Sequence, residues 1–267
     1  MDLKRVLTAV IGFPLVAILL IFGNRYVVDI AFAIVALMAI REFFNAFKGK
    51  AEPINWLGYV TCIFIAVMHI IPMRYVLITI GISIPLIITI LFAQVIITNM
   101  KTSFKDIAIT FFGICYIVGF ILFMPLLNAS ENGKFLIWYI LFAAWGTDLF
   151  AYFVGKKLGK HKFSKVSPNK SIEGCVGGII GSTVLVLIYT IVLNNYTTIN
   201  IPYWYIIISG VILSIISQLG DFAASSIKRY VGIKDFSNLF PGHGGMLDRI
   251  DSIIFVAPFA YFLLTII

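Results

Sequence analysis

The chain has 267 residues, 61% of them apolar and 12% charged, with a mean hydropathy of +1.03. Soluble domains are about 45 to 50% apolar and about 25% charged, so a soluble fold is excluded and the bilayer is the solvent. Twenty basic against twelve acidic residues leave a net charge of +8, which bears on orientation and on anionic ligands; nothing reads nucleic-acid bases. Cys62, Cys115 and Cys175 are odd in number and lie in apolar surroundings, which argues for small packing residues over a disulfide or zinc framework.

In chain order, charge-free runs at 6–24, 53–73, 75–100, 107–130 and 174–220 predict spans, the last run being long enough for two. It breaks at the polar patch 194–202, which predicts a loop. Three further spans carry charges: 27–47 with Asp29, Arg41 and Glu42, 135–155 with Asp148, and 252–267 at the end. Lys4 and Arg5 precede the first run as in a signal peptide, but the run is span-length and no small-x-small cleavage site clearly follows. The prediction is an all-α polytopic integral membrane protein of about nine transmembrane helices. With the N-terminus cytoplasmic and the C-terminus outside, seventeen of the twenty basic residues fall inside and only Arg25, Arg74 and Lys134 outside. Helices one to five occupy 1–134, and helices six to nine with two long cytoplasmic loops occupy 135–267.

Ionisable residues within the hydrocarbon are functional candidates by default. Asp2, Glu52, Asp106 and Glu131 lie in loops or at span ends and read as solvated charge. Asp148 lies 13 residues past Phe135, about 20 Å along a helix, with Tyr152 at i+4 on the same face. Asp221 ends a span travelling inward, and Asp248 and Asp251 stand at i and i+3 before the last span. Three segments are thus expected to bring carboxylates to one depth at the cytoplasmic boundary.

The loop before the last span reads Pro241-Gly242-His243-Gly244-Gly245-Met246-Leu247-Asp248-Arg249-Ile250-Asp251. Its glycines allow close backbone approach with N–H groups aimed at anionic oxygens, and a helix starting after Gly245 would add its positive end. Lys228, Arg229 and Lys234 precede these glycines in the same long cytoplasmic loop, which also carries Arg249, a combination suited to a metal-bound phosphate chain. The other long loop holds Lys156, Lys157, Lys160, Lys162 and Lys165, read chiefly as orientation charges, then Ser167-Pro168-Asn169-Lys170-Ser171, where Lys170 among hydrogen bonders could hold phosphate. Neither P-loop nor dinucleotide spacing is present. His69 is expected to pack and His161 to be solvated; His243 is the one histidine placed for phosphate contact or proton transfer. Gly177 and Gly181 form a GxxxG pair, expected to serve close helix packing.

The stretch Ser225-x-Ile227-Lys228-Arg229, four residues, Lys234-Asp235-x-Ser237, two residues, Phe240-Pro241-x-His243-Gly244-Gly245-Met246-x-Asp248-Arg249-Ile250-Asp251 resembles the signature of the phosphatidate cytidylyltransferases, the CDP-diacylglycerol synthases. Gly220-Asp221, Asp148 to Tyr152, Gly155 and 167–174 resemble other blocks of that family. The resemblance implies a magnesium-dependent enzyme of the cell membrane, the inner membrane of a bacterium, joining CTP and phosphatidic acid to give CDP-diacylglycerol and pyrophosphate on the cytoplasmic side. It implies metal ligation by Asp221 and Asp248, with Asp251 a further ligand or an organiser of Arg249, and leaves room for a second metal or a monovalent ion. Lys170, Lys228, Arg229 and Lys234 would bind phosphates, His243, Gly244 and Gly245 would shape the phosphate pocket, and Asp148, Tyr152, Ser167, Asn169 and Ser171 would line the substrate site. Membrane lipid is the medium, and a homodimer is plausible from the family. The alternatives are a CTP-dependent lipid kinase, and a secondary transporter with intramembrane acids.

Overall fold

A computed structural model of the chain describes residues 3–163, 167, 170–240, 242 and 244–266. Asp2, Lys165, Pro168, Asn169, Pro241 and His243 therefore lie outside the described residues, as does the side chain of His69. The described chain is all-helical, without strands, as composition requires in lipid. The helices are α1 (Leu3–Phe22), α2 (Arg25–Ala46), α3 (Asn55–Ala66), α4 (Met73–Ile97), α5 (Phe104–Gly113), α6 (Phe123–Ala129), α7 (Gly133–Leu158), α8 (Ile172–Tyr196), α9 (Tyr203–Val231) and α10 (Leu247–Thr265). A π turn, Ile114–Gly119, links α5 towards α6. Among the described residues five stretches are long and apolar enough to cross a membrane: Arg74–Ile97, Phe104–Ala129, Gly133–Leu158, Ile172–Tyr196 and Tyr203–Val231.

The chain packs as two compact units, Met1–Pro125 with Asp235–Asp248, and Leu126–Lys234 with Arg249–Ile267. The sequence division at residue 134 groups spans, whereas this one follows packing, and it assigns the glycine-rich loop to the N-terminal unit.

In the first unit α2 buries Val28, Phe32, Ala36, Ile40, Phe43 and Phe44. Gly58 of α3 and Gly113 of α5 sit where a Cβ would collide with the Phe44 ring, so these helices approach α2 by omitting side chains. Ser103 and Asp106 form a capping box at the start of α5. Asp106 also accepts from Glu52 N at 2.7 Å, and Thr110 Oγ1 from Ile54 N at 2.8 Å, which ties the lead into α3 to α5. The span expected over 53–73 is instead a 12-residue helix followed by a 3₁₀ turn at Met68–Ile70. At about 1.5 Å per residue α3 covers about 18 Å, short of a hydrocarbon core of about 30 Å. Pro72 stops the run after the 3₁₀ turn by holding Ile71 in extended backbone (φ −84°, ψ 120°).

In the second unit α7, α8 and α9 pack through small residues. A Cβ on Gly177 would strike Val154, and one on Gly181 the Phe150 ring, so the GxxxG pair does serve helix packing. Polar groups between these helices satisfy one another: Tyr139 Oη and Thr190 Oγ1 lie 2.8 Å apart, Thr147 Oγ1 and Ser214 Oγ 2.6 Å. The predicted break at 194–202 is present. Asn194 closes it by accepting from Ile201 N at 3.0 Å and donating to Ile201 O at 2.9 Å. One expectation is corrected here: Lys228 and Arg229, placed in a loop by the sequence reading, lie in the last turn of α9. No helix breaker intervenes until Gly232, whose φ of +88° ends the helix, and two cations complement its negative end.

Candidate active site

The second unit gathers three acids and a lysine. Lys170, immediately before α8, forms an ion pair with Asp221 of α9, and each side chain keeps about a quarter of its surface exposed (25% and 24%). The Lys170 ammonium also stands 4.6 Å from the centroid of Phe222, which stacks on Phe163 at 4.8 Å. Burial pushes Lys170 below its usual basicity, while the charges of Asp148 and Asp251 pull it back up. Asp148 of α7 and Asp251 of α10 share the Ser252 hydroxyl, 3.5 Å from each, and Asp251 accepts from Ser252 N at 2.8 Å. Asp251 is buried and Asp148 retains exposed surface. Gly220, beside Asp221, explains the Gly-Asp pair physically: a Cβ there would lie 2.7 Å from the Asp251 carbonyl oxygen, so glycine lets α9 and α10 close up where two of the acids sit.

The segment leading into α8 is held by its cap. Ser171 is buried and accepts from Gly174 N at 3.1 Å. Cβ atoms on Gly155, Gly159 or Gly174 would crowd the Ser171 hydroxyl, so these glycines let the end of α7 close on the start of α8. Ser167 O accepts from Lys170 N at 3.1 Å. Glu173 takes His161 Nδ1 at 2.6 Å and Lys160 N at 3.1 Å, fastening the intervening loop. Ser171 thus positions Lys170 rather than presenting a loose hydroxyl. Tyr152 is exposed and packs edge-on against Phe153, with Lys156 5.8 Å above its ring. Arg229, Lys234 and Arg249 are exposed, and Lys228 is half-buried.

The glycine-rich loop, in the first unit, has a different character from that expected. Asp248 Oδ2 accepts from Phe236 N at 2.8 Å and Gly245 N at 2.9 Å. Glu42 of α2 accepts from Ser237 Oγ at 2.6 Å, Met246 N at 2.9 Å and Leu247 N at 2.8 Å. Gly242 and Gly244 have φ of +79° and +78°, and a Cβ on Gly244 would also lie 2.8 Å from Asp248 Oδ2, while one on Gly245 would fall on the Glu42 carboxylate. The N–H groups of 245, 246 and 247, expected to face substrate phosphate, are therefore taken by protein carboxylates. Sequence reasoning noted Glu42 only as a charge near a span end. The sequence signal is a carboxylate inside an apolar run, which needs partners if buried but does not say which.

Among the described residues no group of three or more His, Cys, Asp or Glu side chains is close enough to hold a metal alone. Magnesium typically binds through one or two carboxylates plus substrate phosphates. The carboxylate oxygens of Asp221 and Asp251 are hard donors of the kind such an ion takes singly or in pairs.

The sequence model of a family described as "Cytidylyltransferase family" matches residues 3–267. Proteins named phosphatidate cytidylyltransferase are similar to the chain. That of Bacillus subtilis is 42% identical over 167 residues, covering 62% of this chain and 59% of the relative. That of Staphylococcus saprophyticus is 40% identical over 177 residues, 66% of this chain and 65% of the relative. The alignments thus span less than two thirds of these two relatives. A Staphylococcus epidermidis protein of the same name is 32% identical over 265 residues, 97% of this chain and 98% of its own.

Proposed function

We propose that this chain, which belongs to the cytidylyltransferase family, joins CTP and phosphatidic acid to give CDP-diacylglycerol and pyrophosphate. The observation that carries the reading is the clustering of Lys170 with Asp221, Asp148 and Asp251 in one unit, set beside relatives named for this reaction. The lipid phosphate attacks the α-phosphorus of CTP, and pyrophosphate leaves. Both reactants are anions, so catalysis is positioning and charge stabilisation, with no enzyme nucleophile.

Magnesium is the proposed cofactor, with Asp221 and Asp251 as ligands from the second unit. Asp248, in the first unit, is proposed as a metal ligand on its motif alone. Bound there, the ion supplies charge neutralisation of the triphosphate and of the leaving group. Lys170 yields Asp221 and turns to phosphate, an exchange its flexible stem and partial exposure allow. Lys228, Arg229 and Lys234 hold further phosphates at the end of α9. Nine crossings with the active side cytoplasmic complete the reading, supported by the seventeen-to-three distribution of basic residues; α3 and its 3₁₀ turn, Asn55 to Ile70, then make a short crossing over which the bilayer thins.

Two experiments bear on it. Purified protein in micelles should convert CTP only when phosphatidic acid and a divalent cation are both present, with pyrophosphate released. Diacylglycerol, which lacks the attacking phosphate, should not substitute. Equal use of diacylglycerol with release of CDP would establish the lipid-kinase alternative, and turnover indifferent to chelator would remove the metal. For topology, single cysteines at Lys160 and Asn238 should react with impermeant reagents only from the cytoplasmic side, and one at Asn195 only from outside. Labelling of all three from one side would refute the orientation.

A further inference from the structure

We infer that Glu42 is a positioning residue for the reaction: from α2 its carboxylate holds the two ends of the glycine-rich loop together, at Ser237 and at Met246–Leu247. The inference rests on the reading of that loop as the place where CTP phosphates are handled. Glu42 lies on an apolar helix, 7% exposed, where an unpaired carboxylate would be costly. It is satisfied by three donors, all from the loop or the start of α10: Ser237 Oγ, Met246 N and Leu247 N. Two of these are the otherwise unsatisfied N–H groups of a helix start. A neighbouring Ser or Asp ordinarily serves that purpose, and Asp248 already serves Gly245 N from within the loop. Glu42 reaches across 195 to 205 residues of sequence instead, so what it adds is a fixed location of the loop on α2.

The glycine beside it supports the assignment. Gly245 leaves the space that the Glu42 carboxylate occupies, since a Cβ would coincide with it. The neighbouring N–H groups are consumed in the same arrangement, so the loop contributes a set shape and its side chains, while its backbone donors are spent on holding that shape. Glutamine cannot reproduce this. With its oxygen at the Oε1 position its amide faces the Leu247 N–H, and with the groups reversed it faces the Met246 N–H. Either way one donor opposes another.

The test uses the full-length protein in detergent micelles, with Glu42→Ala, Glu42→Gln and Glu42→Asp each combined with Asn238→Cys as a reporter in the exposed part of the loop. Thiol-labelling rate, melting temperature, kcat, and KM for CTP and for phosphatidic acid are read for each. Glu42→Ala and Glu42→Gln should raise the labelling rate and raise KM for CTP about tenfold or more, the scale of lost charge-assisted hydrogen bonds. KM for phosphatidic acid should stay near the parent value, and Glu42→Asp should recover part of the loss. A merely structural glutamate would reduce the amount of folded protein and leave KM of the remainder unchanged. Should Glu42→Ala not fold, the isosteric Gln decides. Faster labelling with unchanged kinetics would overturn the inference together with the reading of the loop. Unchanged labelling and kinetics, while His243→Ala within the loop still raises KM for CTP, would overturn the role of Glu42 and leave that reading standing.

Discussion

Asp221→Asn is expected to lower kcat about a thousandfold or more, because on the proposed mechanism, which works by charge stabilisation, it removes the anionic charge that would hold the metal. The amide keeps the side chain's size, and Asp221 is only partly buried, so the variant should insert and melt close to the parent. Asp248→Asn makes a sharper comparison. Asp248 Oδ2 receives two backbone N–H groups, and an amide oxygen in the same place can accept both. A loop-holding role alone would therefore survive the exchange, at a cost of about a kilocalorie per mole or less, whereas a metal ligand would not. Steady-state turnover over a magnesium titration, with thermal melting as control, separates the two. Parent-like turnover of Asp248→Asn at saturating magnesium would remove it from the chemistry.

Lys170→Met should lower kcat about a hundredfold, the order of effect of removing one preorganised charge from a phosphoryl-type transition state. Lys170 faces Asp221, Asp148 and Asp251 and rests on the Phe222 ring. Its removal leaves those carboxylates without their shared counter-charge and the substrate phosphate without a cation. Because Lys170 occupies Asp221 until substrate binds, the magnesium concentration for half-maximal rate should not rise in the variant, and this distinguishes loss of a phosphate contact from loss of a metal site. Lys160→Ala, an exposed lysine well down the loop, should remain within about twofold of the parent, as surface substitutions generally do.

Much of this was legible because membrane helices carry their pattern locally. The break between α8 and α9 followed from one polar patch, and the structure shows its means in Asn194 clasping Ile201. The approach of α8 to α7 followed from Gly177 and Gly181. Asp221, Asp248 and Asp251 were singled out at the membrane boundary and Asp148 as a deeper acid; the second unit brings Asp148, Asp221 and Asp251 around Lys170, while Asp248 belongs to the first unit and holds the glycine-rich loop. What escaped depended on distant partners or on backbone detail. The stop after Ile70 comes from one Ile-Pro step inside an apolar run. The extension of α9 to Val231 comes from the lack of a breaker before Gly232. Glu42 could not be paired with Ser237, Met246 and Leu247 from any local pattern, since the partners are some two hundred residues away. The glycines were therefore read as a phosphate cradle, when at Gly244 and Gly245 they make room for Asp248 and Glu42.

Transfer of the α-phosphorus of CTP to a lipid phosphate is what sets the proposed reaction apart from that of a kinase. Its most direct measurement is a paired incubation of the purified protein with phosphatidic acid and magnesium, one with CTP labelled at the α-phosphorus and one with CTP labelled at the γ-phosphorus, followed by extraction of lipid. The account predicts label in the lipid fraction from the α-labelled nucleotide alone, with the γ-label recovered as pyrophosphate in the aqueous phase. Lipid label from the γ-labelled nucleotide, or from neither, would contradict it.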